Sequence, residues 1–275
     1  MLRFIAKNIR YWVTNRRSPA EFVRWFNATN GVAWGLPVSL RYESTLGCMI
    51  ADDGRSHIHF CRNSRVDRYR HGVEACLDTL AREYMINEIQ FGEGDCVVDC
   101  GANVGEVSLW LKRRYPQLKL ILVEPEPMEA NCADLNVFDG RAHTVRKALW
   151  KEEGTLSFYK KPEGADSSLF EVEDADEVVQ IPVTTLANLL GEAGIGRVRL
   201  LKLEAEGAEP EILLGCRENL SNIDYIAADC GPERGLSQDE TATDLINYLL
   251  SRNFDLIDMK FDRVVCLFRN RAARS

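Results

Sequence analysis

The sequence predicts an α/β fold in which a mostly parallel, Rossmann-like sheet ends in an antiparallel hairpin. Residues 96–106 have the pattern of a buried strand, a turn of small residues and the start of a helix. Residues 198–210 repeat this order of strand, turn and helix. Residues 254–259 and 264–268 are two short apolar strands separated by a tight turn, and strands joined in this way are antiparallel.

Ahead of this sheet, residues 1–72 are predicted to form a small N-terminal α+β appendage, and residues 73–275 the main domain. Residues 1–17 carry basic side chains and no acid, with apolar residues near helical spacing. This segment could be an amphipathic helix on an anionic membrane or a partner, a homodimer surface, or a terminal helix packed on its own domain. A helix is predicted from Pro19, and residues 38–60 alternate like strands.

The elements of the main domain follow in order. A helix is predicted over residues 72–87, and a second apolar run, residues 120–123, ends at Glu124. The further predicted elements are a helix to residue 136, a strand over 142–149, an insertion over 151–180 with one strand near 156–159, a helix capped by Thr184 or Thr185, a strand over 223–230 and a helix over 243–252.

The composition restricts the class of protein. The chain has 45% hydrophobic and 28% charged residues, which is ordinary for a globular protein, and its net charge of −8 disfavours general attraction to nucleic acid. No apolar run approaches the roughly 20 residues that span a bilayer. The nine cysteines lie mostly in apolar runs without CxxC spacing, so we expect reduced thiols and no structural zinc. These features predict a cytoplasmic protein, with contact at a membrane surface left open.

The turn after the first strand predicts an adenosine ligand. Glu124 follows Gly105 by 19 residues, near the roughly 20-residue offset at which such folds bind a ribose. A dinucleotide turn has glycine where Asn103 and Glu106 stand here. With Asp99 also beside the turn, an acidic cleft is expected, which favours a cationic nucleoside such as S-adenosylmethionine over NAD. A nicotinamide-dependent oxidoreductase and a non-catalytic nucleoside-binding scaffold stay open as alternatives.

Carboxylates also follow the later strand. Ligands of open α/β sheets bind beyond the carboxyl ends of the strands, so Glu204 and Glu206 are expected near Asp99 and Glu124. Four carboxylates at one edge would repel each other unless a cation offsets them, which is a second indication of a cationic ligand. A salt bridge to Lys202 is the structural alternative for one of these acids.

A parallel sheet finished by an antiparallel hairpin is typical of the class I methyltransferase fold. Two stretches together resemble the FkbM family of S-adenosylmethionine-dependent methyltransferases. One is residues 98–105 followed by Val123-Glu124-Pro125, and the other is residues 201–209 followed by Leu214-Gly215. The resemblance extends over roughly residues 80 to 268.

This resemblance implies an O-methyltransferase that uses S-adenosylmethionine and acts on a hydroxyl of a sugar, a glycan or a secondary metabolite. It implies that Asp99, Gly101, Asn103 and Gly105 shape the methionine pocket, that Glu124 binds the ribose, and that Ala148 and Leu149 lie near the adenine. Ala102 and Pro125, from the same motifs, complete the predicted cofactor-binding set.

Methyl transfer to a hydroxyl needs a base within hydrogen-bond reach of the acceptor. The predicted catalytic candidates are Glu204, Glu206 and, from the appendage, His59, with His57 and His71 as further candidates. Each carboxylate could instead form a salt bridge or cap the following helix.

Two motifs of the appendage allow several interpretations. His57, His59 and Cys61 share one face of a strand, and they could ligate a metal, line a substrate pocket or simply be polar strand residues. Since no fourth ligand has a recognisable spacing, no metal site is predicted. A basic patch could hold an anionic or glycan substrate or be a solvated loop; it contains Arg62, Arg65, Arg68 and Arg70.

Overall fold

The computed structural model describes residue 14 and residues 17–161, 167–173, 175–216 and 219–273. Apart from residues 14 and 17, the predicted N-terminal basic helix lies outside the described residues, as do residues 162–166 of the insertion. Within the described ranges, no helix is long and apolar enough to cross a membrane.

The appendage begins with a helix that its sequence caps well. Ser18 accepts a hydrogen bond from the Glu21 backbone N–H, and the Glu21 carboxylate accepts one from the Ser18 backbone in return. The helix therefore starts at Pro19, as predicted. The elements of this region are α1 (Pro19–Thr29), a π-helical turn (Asn30–Trp34), β1 (Ser39–Glu43), β2 (Cys48–Asp52), β3 (His57–Phe60) and a 3-10 helix (Asn63–Tyr69).

The main domain alternates strands and helices. In chain order its elements are α2 (Val73–Glu83), β4 (Cys96–Cys100), α3 (Glu106–Arg114), β5 (Lys119–Val123), α4 (Pro127–Val137), β6 (Ala148–Leu149), β7 (Gly154–Lys160), β8 (Glu177–Thr184), α5 (Leu186–Glu192), β9 (Val198–Leu203), α6 (Glu209–Leu214), β10 (Ile223–Asp229), α7 (Ala242–Ser251), β11 (Phe254–Lys260) and β12 (Val265–Asn270).

Six of these strands form the central sheet, in the order β11-β12-β10-β9-β4-β5. The neighbouring strands from β10 to β5 are parallel, whereas β12 is antiparallel to both β10 and β11. The mostly parallel sheet with a C-terminal antiparallel hairpin is therefore confirmed. The carboxyl ends of β4, β5, β9 and β10 meet at one edge, where the candidate site lies.

The two faces of the sheet are covered by different parts of the chain. Because side chains alternate along a strand, Val97 and Leu200 face one apolar cluster, and Val98 and Leu201 face the other. The first cluster also contains apolar side chains of α1 and of β1 to β3, so the appendage packs on the same core as the main sheet. The second cluster is closed by α5, α6 and α7.

The third parallel strand is shorter than the sequence predicts. Residues 142–149 contribute only one bridge to β5, between Val145 and Val123, and the two-residue strand β6. The reason is local, because the backbone N–H groups of His143 and Thr144 donate to the Asp134 carboxylate instead of to a neighbouring strand. Ladder pairing with β5 is therefore confined to Val145.

The insertion contains a strand that the sequence analysis did not predict. β8 pairs antiparallel with β7 over residues 177–183 and parallel with β6 at its carboxyl end, which makes a second, three-stranded sheet. β8 begins at Glu177, at the end of the acidic stretch 171–177 of the insertion. The available sequence signal was that four of the six residues 178–183 are valine or isoleucine, which favour strands. This small sheet matters for function because Phe158 of β7 reaches the wall of the candidate site.

Candidate active site

The turn after β4 approaches the end of β9 too closely for any side chain. Gly101 has a φ of +69°, and a Cβ atom there would lie 1.8 Å from the backbone oxygen of Glu204. The N–H groups of Gly101 and Ala102 both donate to the Val123 carbonyl, at 3.0 and 3.1 Å. Glycine at this position therefore lets the ends of three parallel strands come together.

The next residues of the turn connect it to β5 and to α4. Asn103 has a left-handed φ of +51°, and its N–H donates to Glu124 Oε2 at 2.8 Å. Gly105 precedes α3 with a φ of +82°, and a Cβ there would lie 3.1 to 3.3 Å from atoms of Val137 and Ala133. Gly105 thus allows α3 to pack on α4, and it does not itself line the cavity described next.

A cavity opens at this edge of the sheet, and it brings together most of the residues that the sequence singles out. Seven of the nine predicted cofactor-binding residues and two of the three predicted catalytic residues line it: Gly101, Ala102, Asn103, Glu124, Pro125, Ala148, Leu149, Glu204 and Glu206. Asp99 and Gly105 lie behind the wall, and His59 lies elsewhere. The roles assigned to these residues stay predictions.

Glu124, at the end of β5, is held by backbone groups. Its Oε2 accepts from the Asn103 N–H at 2.8 Å, and its Oε1 accepts from the Glu126 N–H at 2.9 Å. The side chain is buried, and this burial raises the pKa of Glu124 to about 8, with the nearby Glu129 and Glu126 carboxylates adding to the effect. Among the described residues, no lysine or arginine forms an ion pair with this carboxyl group.

Glu204, at the end of β9, is held by two cations. Its Oε2 lies 3.0 Å from Lys202 Nζ, and its Oε1 lies 3.0 Å from Arg263 Nη2. The fully buried Lys202 also contacts Asp99 Oδ1 at 3.2 Å, and Arg263 contacts Asp229 Oδ2 at 2.6 Å. Although burial opposes ionisation, these cations hold the pKa of Glu204 well below its usual range.

This arrangement corrects the charge argument made from the sequence. Lys202 pairs with two of the four carboxylates expected at the edge, so the chain itself supplies a cation between Asp99 and Glu204. Glu106, at the start of α3, is likewise buried against Arg65, whose Nη2 lies 2.5 Å from Glu106 Oε2. The acids beside the turn are therefore largely neutralised from within.

Most of the predicted basic patch is also used internally. Arg62 pairs with Glu129 and, at 3.0 Å, with Glu126, while Arg65 pairs with Glu106. Arg68 is the more exposed member of the patch at the cavity wall, 38% by side chain, and lies 3.7 Å from Glu106. Arg62 and Arg65 thus attach the 3-10 helix to α3 and α4 and are not solvated loop residues.

His59 is placed away from the cavity wall. Its ring Nδ1 lies 3.1 Å from Asn136 Oδ1, and its backbone N–H donates to the same oxygen at 2.8 Å. Burial lowers the pKa of His59. His57 is stacked edge-on at 5.8 Å between ring centroids, and neither ring lines the cavity. Among the described residues, no group of histidine, cysteine and acidic side chains is arranged to hold a metal ion.

Several side chains of the cavity were not predicted from the sequence. These come from the small second sheet and its loop, from the loop after β10 and from the β11–β12 turn: Phe158, Ser167, Leu169, Glu233 and Arg263. Glu233 could have been predicted from the sequence, because this residue follows a predicted strand, residues 223–230, that ends at the same sheet edge as Asp99 and Glu204. No sequence signal identifies Phe158 or Arg263, which reach the cavity through tertiary packing.

Comparison with known proteins identifies relatives of this chain. Methyltransferase 1 of Beauveria bassiana (strain ARSEF 2860) is 29% identical over 172 residues, which are 53% of this chain and 68% of that protein. The 31-O-demethyl-FK506 methyltransferase FkbM of Streptomyces tacrolimicus is 25% identical over 170 residues, covering 50% of this chain and 65% of that protein. The chain thus spans about two thirds of the length of these curated relatives.

A solved structure and a family model complete the comparison. The crystal structure of methyltransferase FkbM from Methylobacillus flagellatus KT has 18% sequence identity and a TM-score of 0.47, covering 75% of this chain and 53% of that one. The model of the methyltransferase FkbM domain matches residues 99–256. Because this match covers more than half of the chain, the resemblance found in the sequence is confirmed, and the chain belongs to the FkbM methyltransferase family.

Proposed function

We propose that this chain binds S-adenosylmethionine and transfers its methyl group to a hydroxyl of a secondary metabolite or a sugar. The observation that carries the proposal is the contact of Gly101 with the end of β9, which creates a side-chain-free turn beside Glu124 in one cavity. The methyltransferase family supports the reaction class. A relative whose name specifies a 31-O-demethyl substrate supports a hydroxyl acceptor.

The residues present fit the proposed cofactor. The Glu124 carboxylate would accept hydrogen bonds from the ribose hydroxyls, and the apolar Ala148 and Leu149 would flank the adenine. The turn at Gly101 and Asn103 would admit the methionine part, because no side chain of Gly101 occupies it. When bound, S-adenosylmethionine supplies a methyl group activated by a sulfonium.

The cavity contains acidic groups that a cationic ligand would hold in their ionised form. Among its described lining residues, seven carry a carboxyl group and five a cationic side chain. Because the pKa values of Glu124 and Glu233 are raised to about 8, the charges are close to balanced at neutral pH, and a bound cation would favour the ionised form of these two acids. The Lys202 and Arg263 pairs keep Glu204 ionised, so it can accept a hydrogen bond from an ammonium group.

Two tasks are left to the chain in methyl transfer. The first is alignment of the acceptor oxygen with the methyl carbon, which is an in-line displacement that fixed cavity walls favour. The second is removal of the acceptor proton by a base. Glu204 and Glu206 both line the cavity and are the two carboxylates that the sequence proposes for this second task.

Isothermal titration with S-adenosylmethionine, S-adenosylhomocysteine and NAD tests the cofactor. We expect micromolar or tighter affinity for the first two compounds, and at least a tenfold weaker affinity in a Glu124→Ala variant. Glu192→Ala, on an exposed position of α5, is the matched control and should bind as the unmodified protein does. Binding of NAD without S-adenosylmethionine would overturn the proposal in favour of an oxidoreductase.

Methyl transfer is tested with S-adenosylmethionine labelled in the methyl group. The acceptors to compare are 31-O-demethyl-FK506, a panel of small hydroxylated metabolites and a set of mono- and oligosaccharides. Label in an ether linkage of a product supports the proposal, and the accepted panel distinguishes a metabolite from a sugar. Tight cofactor binding with no transfer to any panel would favour a non-catalytic scaffold.

A further inference from the structure

The loop that follows β10 is fixed against the loop that follows β9. Arg234 Nη1 donates to the Gly207 carbonyl at 2.6 Å, and the guanidinium pairs with both oxygens of Glu211, at 2.8 and 2.6 Å. A Cβ atom on Gly207 would lie only 2.6 Å from Arg234 Cβ. The two loops therefore pack without space between them, and this packing holds Glu233, the neighbour of Arg234, at the cavity wall.

The carboxylates that line the cavity differ in what holds them. Both oxygens of Glu204 lie in ion pairs, and both oxygens of Glu124 accept backbone N–H groups. Three further lining carboxylates are paired with arginines of the 3-10 helix region: Glu106, Glu126 and Glu129. Glu206 also has an interaction partner. By contrast, within the described part of the chain the Glu233 carboxylate makes neither an ion pair nor a hydrogen bond.

Three acidic side chains interact electrostatically with Glu233. Asp229 ends β10, Glu204 directly follows β9, and Glu209 begins α6. The facing cation is Arg263, which is already engaged by Glu83, Glu204 and Asp229. Burial, followed by the repulsion from these three carboxylates, raises the pKa of Glu233 to about 8. A carboxylate of this kind takes up a proton far more readily than the paired Glu204 does.

We propose that Glu233 is the catalytic base that accepts the proton of the acceptor hydroxyl. This inference rests on the proposed methyl transfer. The hydroxyl proton passes to a Glu233 oxygen as an oxygen lone pair of the acceptor forms a bond to the methyl carbon. The bond between that carbon and sulfur breaks, its electron pair stays on sulfur, and the products are a methyl ether and a neutral thioether. No oxidant or further reactant is needed.

The decisive comparison is between Glu233→Gln, Glu233→Asp and the matched control Glu240→Gln, an exposed carboxylate on the same loop. We expect S-adenosylmethionine affinity within twofold of the unmodified protein in all three variants. Single-turnover transfer to the best acceptor of the labelled panels should fall about 100-fold or more in Glu233→Gln, partly recover in Glu233→Asp and stay unchanged in Glu240→Gln.

The pH dependence separates a base from a merely structural residue. A base acts in its deprotonated form, so the transfer rate of the unmodified protein should rise with pH to a plateau above about 8, and Glu233→Gln should lack this rise. Transfer by Glu233→Gln at the unmodified rate with the same pH profile would overturn the proposal.

A second measurement needs no acceptor. The protein is labelled with ¹³C at the side-chain carboxyl carbon of glutamate, and the Glu233 signal is identified as the one that is missing from the NMR spectrum of Glu233→Gln. The chemical shift of this signal should titrate with a midpoint near pH 8. A midpoint near the usual value of 4.5 would overturn the proposal. Absence of S-adenosylmethionine binding in the unmodified protein would instead show that the proposed function fails, so the two failures are distinguishable.

Discussion

Glu124 at the end of β5 and Glu204 at the end of β9 face one cavity, yet the two carboxylates are held by different kinds of partner. Backbone N–H groups hold Glu124, whereas the side chains of Lys202 and Arg263 hold Glu204. The pKa of Glu124 is accordingly raised to about 8, and that of Glu204 is lowered. Position at a sheet edge therefore does not fix the pKa of an acid; its interaction partners do.

The largest expected effect comes from removing the cation on the β9 side. Lys202→Met leaves Asp99 and Glu204 as buried or half-buried acids without their shared partner. Loss of one member of a buried ion pair costs about 3–5 kcal/mol of unfolding free energy. Urea unfolding followed by tryptophan fluorescence measures this loss. The control Lys260→Met removes a half-exposed pair with Asp258 and should cost less than about 1 kcal/mol. Equal losses in the two variants would contradict the assignment.

The next effect concerns the turn that joins the two sides. Gly101→Ala adds a Cβ that would overlap the Glu204 backbone oxygen and also strains a φ of +69°. We expect a stability loss of about 2–4 kcal/mol, the sum of overpacking and left-handed strain. S-adenosylmethionine affinity should fall at least about 100-fold, the equivalent of about 2.7 kcal/mol.

The control for this variant is Gly94→Ala, which has a similar φ of +78° but no atom within 4 Å of the added Cβ. It isolates the cost of the backbone conformation, about 1–2 kcal/mol, and should leave cofactor binding unchanged. If both variants lost the same stability and neither lost affinity, the close approach of β4 and β9 would have no role in binding.

The β5 side should show an effect that is smaller per pH unit. Burial raises the pKa of Glu124 from its usual 4.5 to about 8. Between pH 4.5 and 8, the Glu124 carboxyl group is therefore protonated in the native state and ionised in the unfolded chain. The free energy of unfolding should therefore decrease as pH rises from about 4.5 to 8, by at most about 1.4 kcal/mol per pH unit from this group. Glu124→Gln should show a flatter dependence in urea unfolding without ligand. An unchanged slope would mean that Glu124 is ionised throughout this range.

The smallest effect is expected outside the cavity. His59→Gln removes a ring that contacts Asn136, and we expect a stability loss of about 0.5–1.5 kcal/mol with methyl transfer within twofold of the unmodified protein. His57→Gln, on the exposed neighbour in β3, is the control. A tenfold loss of methyl transfer in His59→Gln at unchanged stability would indicate that His59 takes part in the reaction.

Particular elements show what was predictable. The strand and turn at residues 96–106, the helix that Thr185 caps and the final hairpin all follow from local patterns, and the structure has them near the predicted bounds. The third strand and β8 were not predicted correctly. In the first case the Asp134 carboxylate competes for the backbone N–H groups, and in the second the pairing partner lies in a different part of the insertion.

Local patterns in the sequence indicate the order of most strands, turns and helices and the acids that follow the strands, because backbone sterics and side-chain alternation act over a few residues. Nine of the residues singled out in this way line the cavity. Which cation neutralises which acid depends instead on the tertiary structure. Arg65 is 41 residues from Glu106 and Arg263 is 59 residues from Glu204 along the chain, yet both pairs are in contact. Charge interaction depends on distance in space and on burial, and spacing along the chain records neither.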